Sequence, residues 1–218
     1  GSITTPFTTF GATGEFVTGK NINVGASILK QTAGDGGYGY TTAYGSVSYT
    51  GVKFGPGLTK RLTFGLQAGM IQRRFDQSKM TFGSQWNPVF GYNPGNPSNE
   101  VLSRTAASAF DIGAGVLYFD AKPGQKANLY GGLSVSHLTK PEDKFGATGD
   151  ARFPMRYTFH GGVRITLNDR FSITPNALYL KQGTATEKMV GAYGQYKATP
   201  EVNLLMGANY RFADAVSP

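Results

Sequence analysis

No cysteine occurs among the 218 residues, so neither a disulfide nor a thiolate metal site is possible. Long apolar runs are missing as well, and no segment approaches the roughly 18 consecutive apolar residues of a membrane-spanning helix. Tryptophan occurs once, at Trp86, and histidine only twice. These absences argue against disulfide scaffolds, thiol nucleophiles and helical membrane proteins. A mean hydropathy of −0.25 still permits a membrane barrel, whose strands average a lipid face against a polar lumen.

Acidic residues are scarce, with 13 Asp and Glu against 21 Lys and Arg, a net charge of +8 and a pI near 9.6. The basic residues are dispersed along the chain without a dense cluster, which disfavours nucleic-acid binding. A dispersed positive charge is better suited to anionic lipid headgroups or to an acidic partner.

Alternation of apolar and polar residues is the strongest pattern present. In one segment the even-numbered residues from Leu62 to Met70 are apolar, whereas the odd-numbered ones are Thr, Gly, Gln and Gly. A period of two predicts strands with one apolar and one polar face. Ten such strands are predicted: Pro6–Val17, Ile22–Gln31, Thr41–Lys53, Arg61–Phe75, Thr105–Ala121, Ala127–Thr139, Met155–Leu167, Phe171–Gln182, Lys188–Ala198 and Val202–Ala213.

The connections between these strands differ in length in a regular way. Long ones, Thr32–Tyr40, Asp76–Arg104 and Lys140–Pro154, fall on every second connection, and Gly183–Glu187 is intermediate. In an up-and-down meander they therefore share a side, which is extracellular in outer-membrane barrels. The fold class predicted is all-β, a transmembrane antiparallel up-and-down β-barrel forming one domain over residues 1–218. Aromatic residues near strand ends agree with interfacial girdles, although an ordinary β core stays an alternative.

The strand count has a further consequence. Ten strands would place both ends of this chain on the extracellular side, whereas bacterial barrels have even strand numbers and are expected to end in the periplasm. We therefore expect at least one further strand at each end and a full barrel of about 12–14 strands.

Charged and polar residues in mid-strand are expected to face the lumen. The lumen candidates are Arg73, Asp111, His160, Arg164 and Arg211. Their expected role is structural, because charges paired across the interior neutralise one another, and Asp111 is the only acid among them. His137 and His160 show no obvious partner, and no metal or cofactor site is predicted.

Two phosphate-loop patterns occur, but neither leads into a helix. Gly14–Asn21 nearly matches the P-loop spacing yet lacks the Ser or Thr that holds magnesium, so a hairpin turn is predicted. Gly34–Gly39 fits GxGxxG literally, and its glycines are expected in a turn. No GxSxG motif occurs, and no catalytic constellation is assembled, so the chain is predicted not to be an enzyme.

The connection Asp76–Arg104 is far longer than most loops, and loops of that length are usually functional or disordered. Trp86, Phe90 and Tyr92 give it apolar anchors. We interpret it as a cap on the barrel or a partner-binding loop in preference to a pore constriction, and these three aromatics are the partner-binding candidates.

Several stretches together resemble the PorP/SprF family over essentially the whole chain. They are Ser2–Gly11, Ala33–Gly36, Met80–Gly83, His137–Pro141, Phe153–Gly162 and Pro175–Tyr179, of which His137–Gly162 is the most specific part. The resemblance implies a non-enzymatic outer-membrane barrel of the type IX secretion and gliding-motility machinery of Bacteroidota. It also implies partners: the periplasmic ring lipoprotein complex of the secretion system, a secreted surface adhesin, or both. It supplies no active-site residues.

The function expected is therefore an outer-membrane anchor that recruits a secretion ring complex or a surface adhesin. The alternative is an outer-membrane porin or small-solute transporter, which conductance measurements on reconstituted protein would reveal. An enzyme comes third, because it would need an acid and a base converging at one barrel mouth.

Overall fold

The computed structural model describes residues 7–34, 37–76, 79–80, 82–93, 95–97, 104–144, 151–212 and the backbone of 215–217. No helix in the described residues is long and apolar enough to cross a membrane. The described strands are β1 (Thr8–Val17), β2 (Ile22–Ala33), β3 (Tyr38–Phe54), β4 (Lys60–Arg74), β5 (Trp86–Asn87), β6 (Gly91–Tyr92), β7 (Ala106–Asp120), β8 (Ala127–Ser136), β9 (Arg156–Thr166), β10 (Phe171–Gln182), β11 (Ala185–Lys197), β12 (Asn203–Arg211) and β13 (Ala215–Ser217).

Eleven of these strands form one antiparallel sheet in the order of the chain, from β1 to β4 and then from β7 to β13. The pair β5–β6 forms a separate small hairpin inside the connection between β4 and β7. Each of the ten predicted strands has a counterpart in the large sheet. The prediction of an all-β, up-and-down meander is therefore confirmed.

The register assigns every residue of the sheet to one of two faces. Leu66 on β4 pairs with Val47 on one side and Ala114 on the other, and this row belongs to the apolar face. Large side chains on the apolar face are exposed, among them Phe64, Leu66 and Phe159. The polar face holds most of the buried strand residues: Ile71, Asp111, Ser136, Ser172 and Thr174. The sheet therefore curves with its polar face inward and its apolar face outward, as a membrane barrel wall requires.

One extra residue in β3 changes which of its side chains face outward. Tyr49 pairs with Phe64, whereas Val52 pairs with Leu62, so β3 gains a residue between these two pairs. A bulge of this kind reverses the alternation beyond it. As a result Val52 lies in the same outward-facing row as Leu62. The strict alternation that we assumed from the sequence does not predict this change.

Connection lengths agree with the sequence prediction only in part. The prediction of a long loop over Thr32–Tyr40 is wrong. Strand β2 extends to Ala33 and β3 begins at Tyr38, so only residues 34–37 connect them. The intermediate connection shrinks to residues 183–184. The two remaining long connections, 75–105 and 137–155, lie on the same side of the sheet, which we assign as extracellular.

A charge introduced in the middle of β4 should affect the free energy of unfolding differently on the two faces. We expect Leu66→Arg to lower the free energy of unfolding in lipid vesicles by about 2–4 kcal/mol, because an outward cation near the bilayer midplane meets hydrocarbon. Gln67→Arg, one residue along on the inward face, is the matched control and should change it by less than half as much. Denaturant titration monitored by far-ultraviolet circular dichroism, which reports the β-sheet, measures both. Equal losses for the two variants would contradict the assignment of faces.

Candidate functional site

A buried polar cluster lies on the inward face near the extracellular end. Asp111 on β7 is 0% exposed, and its Oδ2 accepts a hydrogen bond of 2.7 Å from the Tyr44 hydroxyl of β3. His137, just after β8, places Nδ1 at 2.9 Å from the same oxygen, where an N–H on Nδ1 donates to the carboxylate. The other oxygen, Oδ1, is buried without a hydrogen-bond partner among the described residues. One carboxylate on β7 thus links β3 and the start of the loop after β8.

A glycine makes this contact between non-adjacent strands possible. Gly69 on β4 pairs with Tyr44 on one side and with Asp111 on the other. A Cβ at Gly69 would lie only 2.7 Å from the Tyr44 ring. The missing side chain leaves room for the Tyr44 ring over β4, from which its hydroxyl reaches Asp111 on β7.

A second layer brings the extracellular loop 137–155 onto this cluster. Arg73 Nη1 lies 2.8 Å from Asp143 Oδ2, and the guanidinium stands 4.5 Å from the Phe153 ring centre. Phe153 is buried, and its ring centre is 5.5 Å from that of His137. Cation–π and ring contacts of this kind each contribute about 0.5–2 kcal/mol when desolvated. The loop is therefore held at the mouth from both of its described ends.

The two described ends of this loop also pair with each other. Phe153 N–H donates to Pro141 O at 3.0 Å, and Asp143 N–H donates to Ala151 O at 2.7 Å. Glu142 lies between two cations, with Lys144 Nζ at 2.9 Å and Arg152 Nη2 at 3.2 Å. The hydrogen bond from Lys144, together with both positive charges, lowers the pKa of the exposed Glu142 carboxyl.

The register places all five lumen candidates on the inward face, but they do not converge. Arg73 and Asp111 belong to the extracellular cluster, His160 lies over Gly132, Arg164 faces Asn128, and Arg211 lies 3.9 Å from Glu187. Their functional role stays a prediction.

Asp111 is the only acid among the lumen candidates, but an acid outside that set pairs with the first of the arginines. Asp143 pairs with Arg73, while Asp111 pairs with Tyr44 and His137. The expectation that His137 has no partner is wrong. Sequence spacing could not reveal these pairs because the partners are 26 to 70 residues apart along the chain.

The predicted partner-binding aromatics lie on the β5–β6 hairpin. Trp86 and Tyr92 pair across it, and the turn between the strands exposes Val89 and Phe90, which are 78% and 86% exposed. Asn87 Oδ1 accepts hydrogen bonds from the N–H groups of both turn residues, at 2.8 and 3.4 Å. The tip is therefore a preformed turn that presents apolar side chains to solvent.

Gln85 fixes the base of this hairpin. Its side chain is buried, accepts from Phe82 N–H at 3.2 Å and donates from Nε2 to Asn96 O at 3.1 Å. Its backbone oxygen accepts from Asn93 N–H at 2.9 Å. No three His, Asp or Glu side chains gather as a metal site within the described ranges.

The family model of the type IX secretion system membrane protein PorP/SprF matches residues 1–218. The chain belongs to the PorP/SprF family. This membership makes the protein an outer-membrane component of the type IX secretion system and not an enzyme. The resemblance drawn from His137–Gly162 and the other stretches is thereby confirmed.

A solved structure agrees with the fold of this PorP/SprF protein. The crystal structure of a Pseudomonas aeruginosa FadL homologue matches over 94% of this chain with a TM-score of 0.51 and 12% identity. At that identity the likeness shows the barrel fold alone. The chain spans 59% of the length of the homologue. No curated protein gives a significant match.

The buried carboxylate generates a first prediction for this site. Asp111→Ala leaves the Tyr44 hydroxyl and His137 Nδ1 without their partner, and we expect the free energy of unfolding to fall by about 1–3 kcal/mol. Tyr44→Phe removes one donor only and should cost less, about 0.5–1.5 kcal/mol. Denaturant titration in vesicles measures both, and a larger loss for Tyr44→Phe would contradict the central place of Asp111.

Phe153 generates a second prediction. We expect Phe153→Ala to release loop 137–155, because the ring no longer stands between Arg73 and His137. Trypsin added to outer-membrane vesicles should then cleave after Lys144 or Arg152 about tenfold faster, since cleavage follows the population of the open loop. Phe90→Ala, on the other extracellular loop, is the control and should leave cleavage at these two residues unchanged. An unchanged rate in Phe153→Ala would show that the ring does not hold the loop.

Proposed function

We propose that the protein anchors a secreted surface adhesin at the cell surface and that the β5–β6 hairpin is the contact. The single observation that carries the proposal is the exposed apolar tip, formed by Trp86, Val89, Phe90 and Tyr92 on a turn held by Asn87. Membership of a type IX secretion family supports a secreted protein as the partner.

The physical argument rests on preorganisation. Aromatic side chains dominate protein interfaces, and a rigid presentation saves the ordering cost of association. Gln85 and Asn87 already fix the backbone of the hairpin through the hydrogen bonds described above. Leaving Val89 and Phe90 in water otherwise brings no benefit to the fold, because neither packs against the barrel.

The structure of the mouth supports an anchor over a porin. The Asp111 cluster, with Arg73 and Phe153 above it, fills part of the inward face at the extracellular end. Loop 137–155, which packs against Arg73 and His137, is held in one position and occupies space that a solute path would need. A porin requires a water-filled lumen, and conductance of the reconstituted protein is the test that separates the two functions.

We further propose that additional strands complete the barrel, giving about 12–14 in all. Within the described residues β1 pairs with β2 alone, and all ten of its residues are exposed. An unpaired strand edge in hydrocarbon leaves N–H and C=O groups unsatisfied at several kcal/mol each. A structure of the intact protein in nanodiscs that ends in hydrocarbon at β1 would contradict this proposal.

A site-specific crosslink tests the partner. A photoreactive phenylalanine analogue at position 90, in cells of the native host, is expected to form an adduct with a secreted adhesin. The same analogue at the exposed Leu58, in the turn between β3 and β4 at the opposite end, is the matched control. That position should instead capture periplasmic proteins, such as ring subunits.

A substitution gives the quantitative prediction. We expect Phe90→Asp to reduce the adhesin retained on the cell surface about tenfold, because a charge replaces the aromatic anchor that the bound partner would bury. Leu58→Asp should leave retention unchanged. An adduct with ring subunits at position 90, or full retention in Phe90→Asp, would overturn the proposal.

A further inference from the structure

The outward face of the barrel carries a groove where small residues line up across three strands. Gly131 on β8 pairs with Gly161 on β9, which pairs with Ala177 on β10. The groove has a volume of about 770 Å³ and is open along its outer side. Larger side chains border it, including Tyr118, Leu133, Phe159, Tyr179 and Val190. The register places these bordering residues on the lipid-facing side.

Two lysines stand at the extracellular side of this groove. Lys188 lines it, and Lys181 lies on the same outward face of the neighbouring strand, where Tyr179 pairs with Lys188 and Lys181 with Thr186. The two lysines are thus diagonal neighbours, with backbone positions about 7–8 Å apart. Neither has an ion pair within the described ranges. One anionic group can therefore contact both ammonium groups.

The charge of the outward face is biased towards the same end. Lys30 and Arg74 also point outward near the extracellular ends of β2 and β4, by their pairing with Thr41 and Gly39. Among the described strand residues, the acidic side chain that faces outward is Asp120, opposite Lys60 at the other end. Anionic groups are thus attracted to the extracellular half of the lipid-facing surface.

We propose that this groove binds a phosphate-bearing lipid of the outer leaflet, with one acyl chain against Gly131, Gly161 and Ala177 and its phosphate between Lys181 and Lys188. Lipid tails are as apolar as the wall, so burial of an acyl chain gives no hydrophobic gain inside the bilayer. Selection among lipids must therefore come from the fit of the chain and from the two charges. Each lysine near an anionic headgroup adds to the attraction.

The test uses diphosphoryl lipid A as the probe. Native mass spectrometry of the intact protein, released from a delipidating detergent and titrated with this lipid, gives the bound fraction. We expect Lys181→Gln with Lys188→Gln to weaken binding about tenfold. Lys30→Gln, an outward lysine at the same end but remote from the groove, is the matched control and should retain binding. Dephosphorylated lipid A should bind the unaltered protein as weakly as it binds the double variant.

A second variant tests the groove itself. Gly131→Ile fills the row of small residues, and the Cβ that it adds meets no atom nearer than His160 O at 3.6 Å. We expect it to weaken lipid A binding while heat-modifiable migration on gels shows an intact barrel.

Three results would overturn the proposal. Equal losses in the double variant and in Lys30→Gln would mean diffuse attraction of lipid. Binding of inorganic phosphate that competes fully with lipid A would mean a simple anion site. Association with a second copy or another barrel through the groove, lost in Gly131→Ile with lipid binding unchanged, would assign it to a protein partner.

Discussion

Satisfaction of every backbone N–H and C=O within the wall is the constraint on which the rest of this structure depends. In hydrocarbon these groups cannot hydrogen-bond to water, so the strands must pair in register along their length. That register then fixes the face of each side chain, because successive residues point to opposite sides. Arg73 and Asp111 share a face with the buried Ile71 only through this ladder. The lipid-facing groove follows from the same pairing.

On the inward face, large side chains occupy the space that neighbouring glycines leave empty. Tyr44 lies over Gly69, and His160 lies over Gly132 in the same manner. In both pairs the aromatic ring packs against the glycine backbone. Several of the 31 glycines therefore make room for neighbouring side chains, in addition to those that form turns.

The sequence predicted the wall well and the site poorly, for physical reasons. Alternation is a local property, so the strand from Lys60 to Arg74 and the face of each of its residues could be inferred directly. The pairing of Arg73 with Asp143 depends on how a distant loop folds back, and no short-range pattern encodes that. The bulge after Tyr49 leaves a small trace only, a single change of apolar spacing from two to three between Tyr49 and Val52. Trp86, Phe90 and Tyr92 stand out in the sequence as apolar residues in a long polar loop, and their partner-binding role stays a prediction.

The connections on the extracellular side make the rim of the barrel uneven. The two long connections are neighbours in the sheet, over β4 to β9, whereas on either side of them the strands β2 and β3 are separated by four residues and β10 and β11 by two. The described contacts of the long connections, in the β5–β6 hairpin and between Phe153 and Arg73, therefore lie in one sector of the rim. A partner held by both loops would therefore be attached over one sector of the circumference, β4 to β9, and not evenly around the mouth.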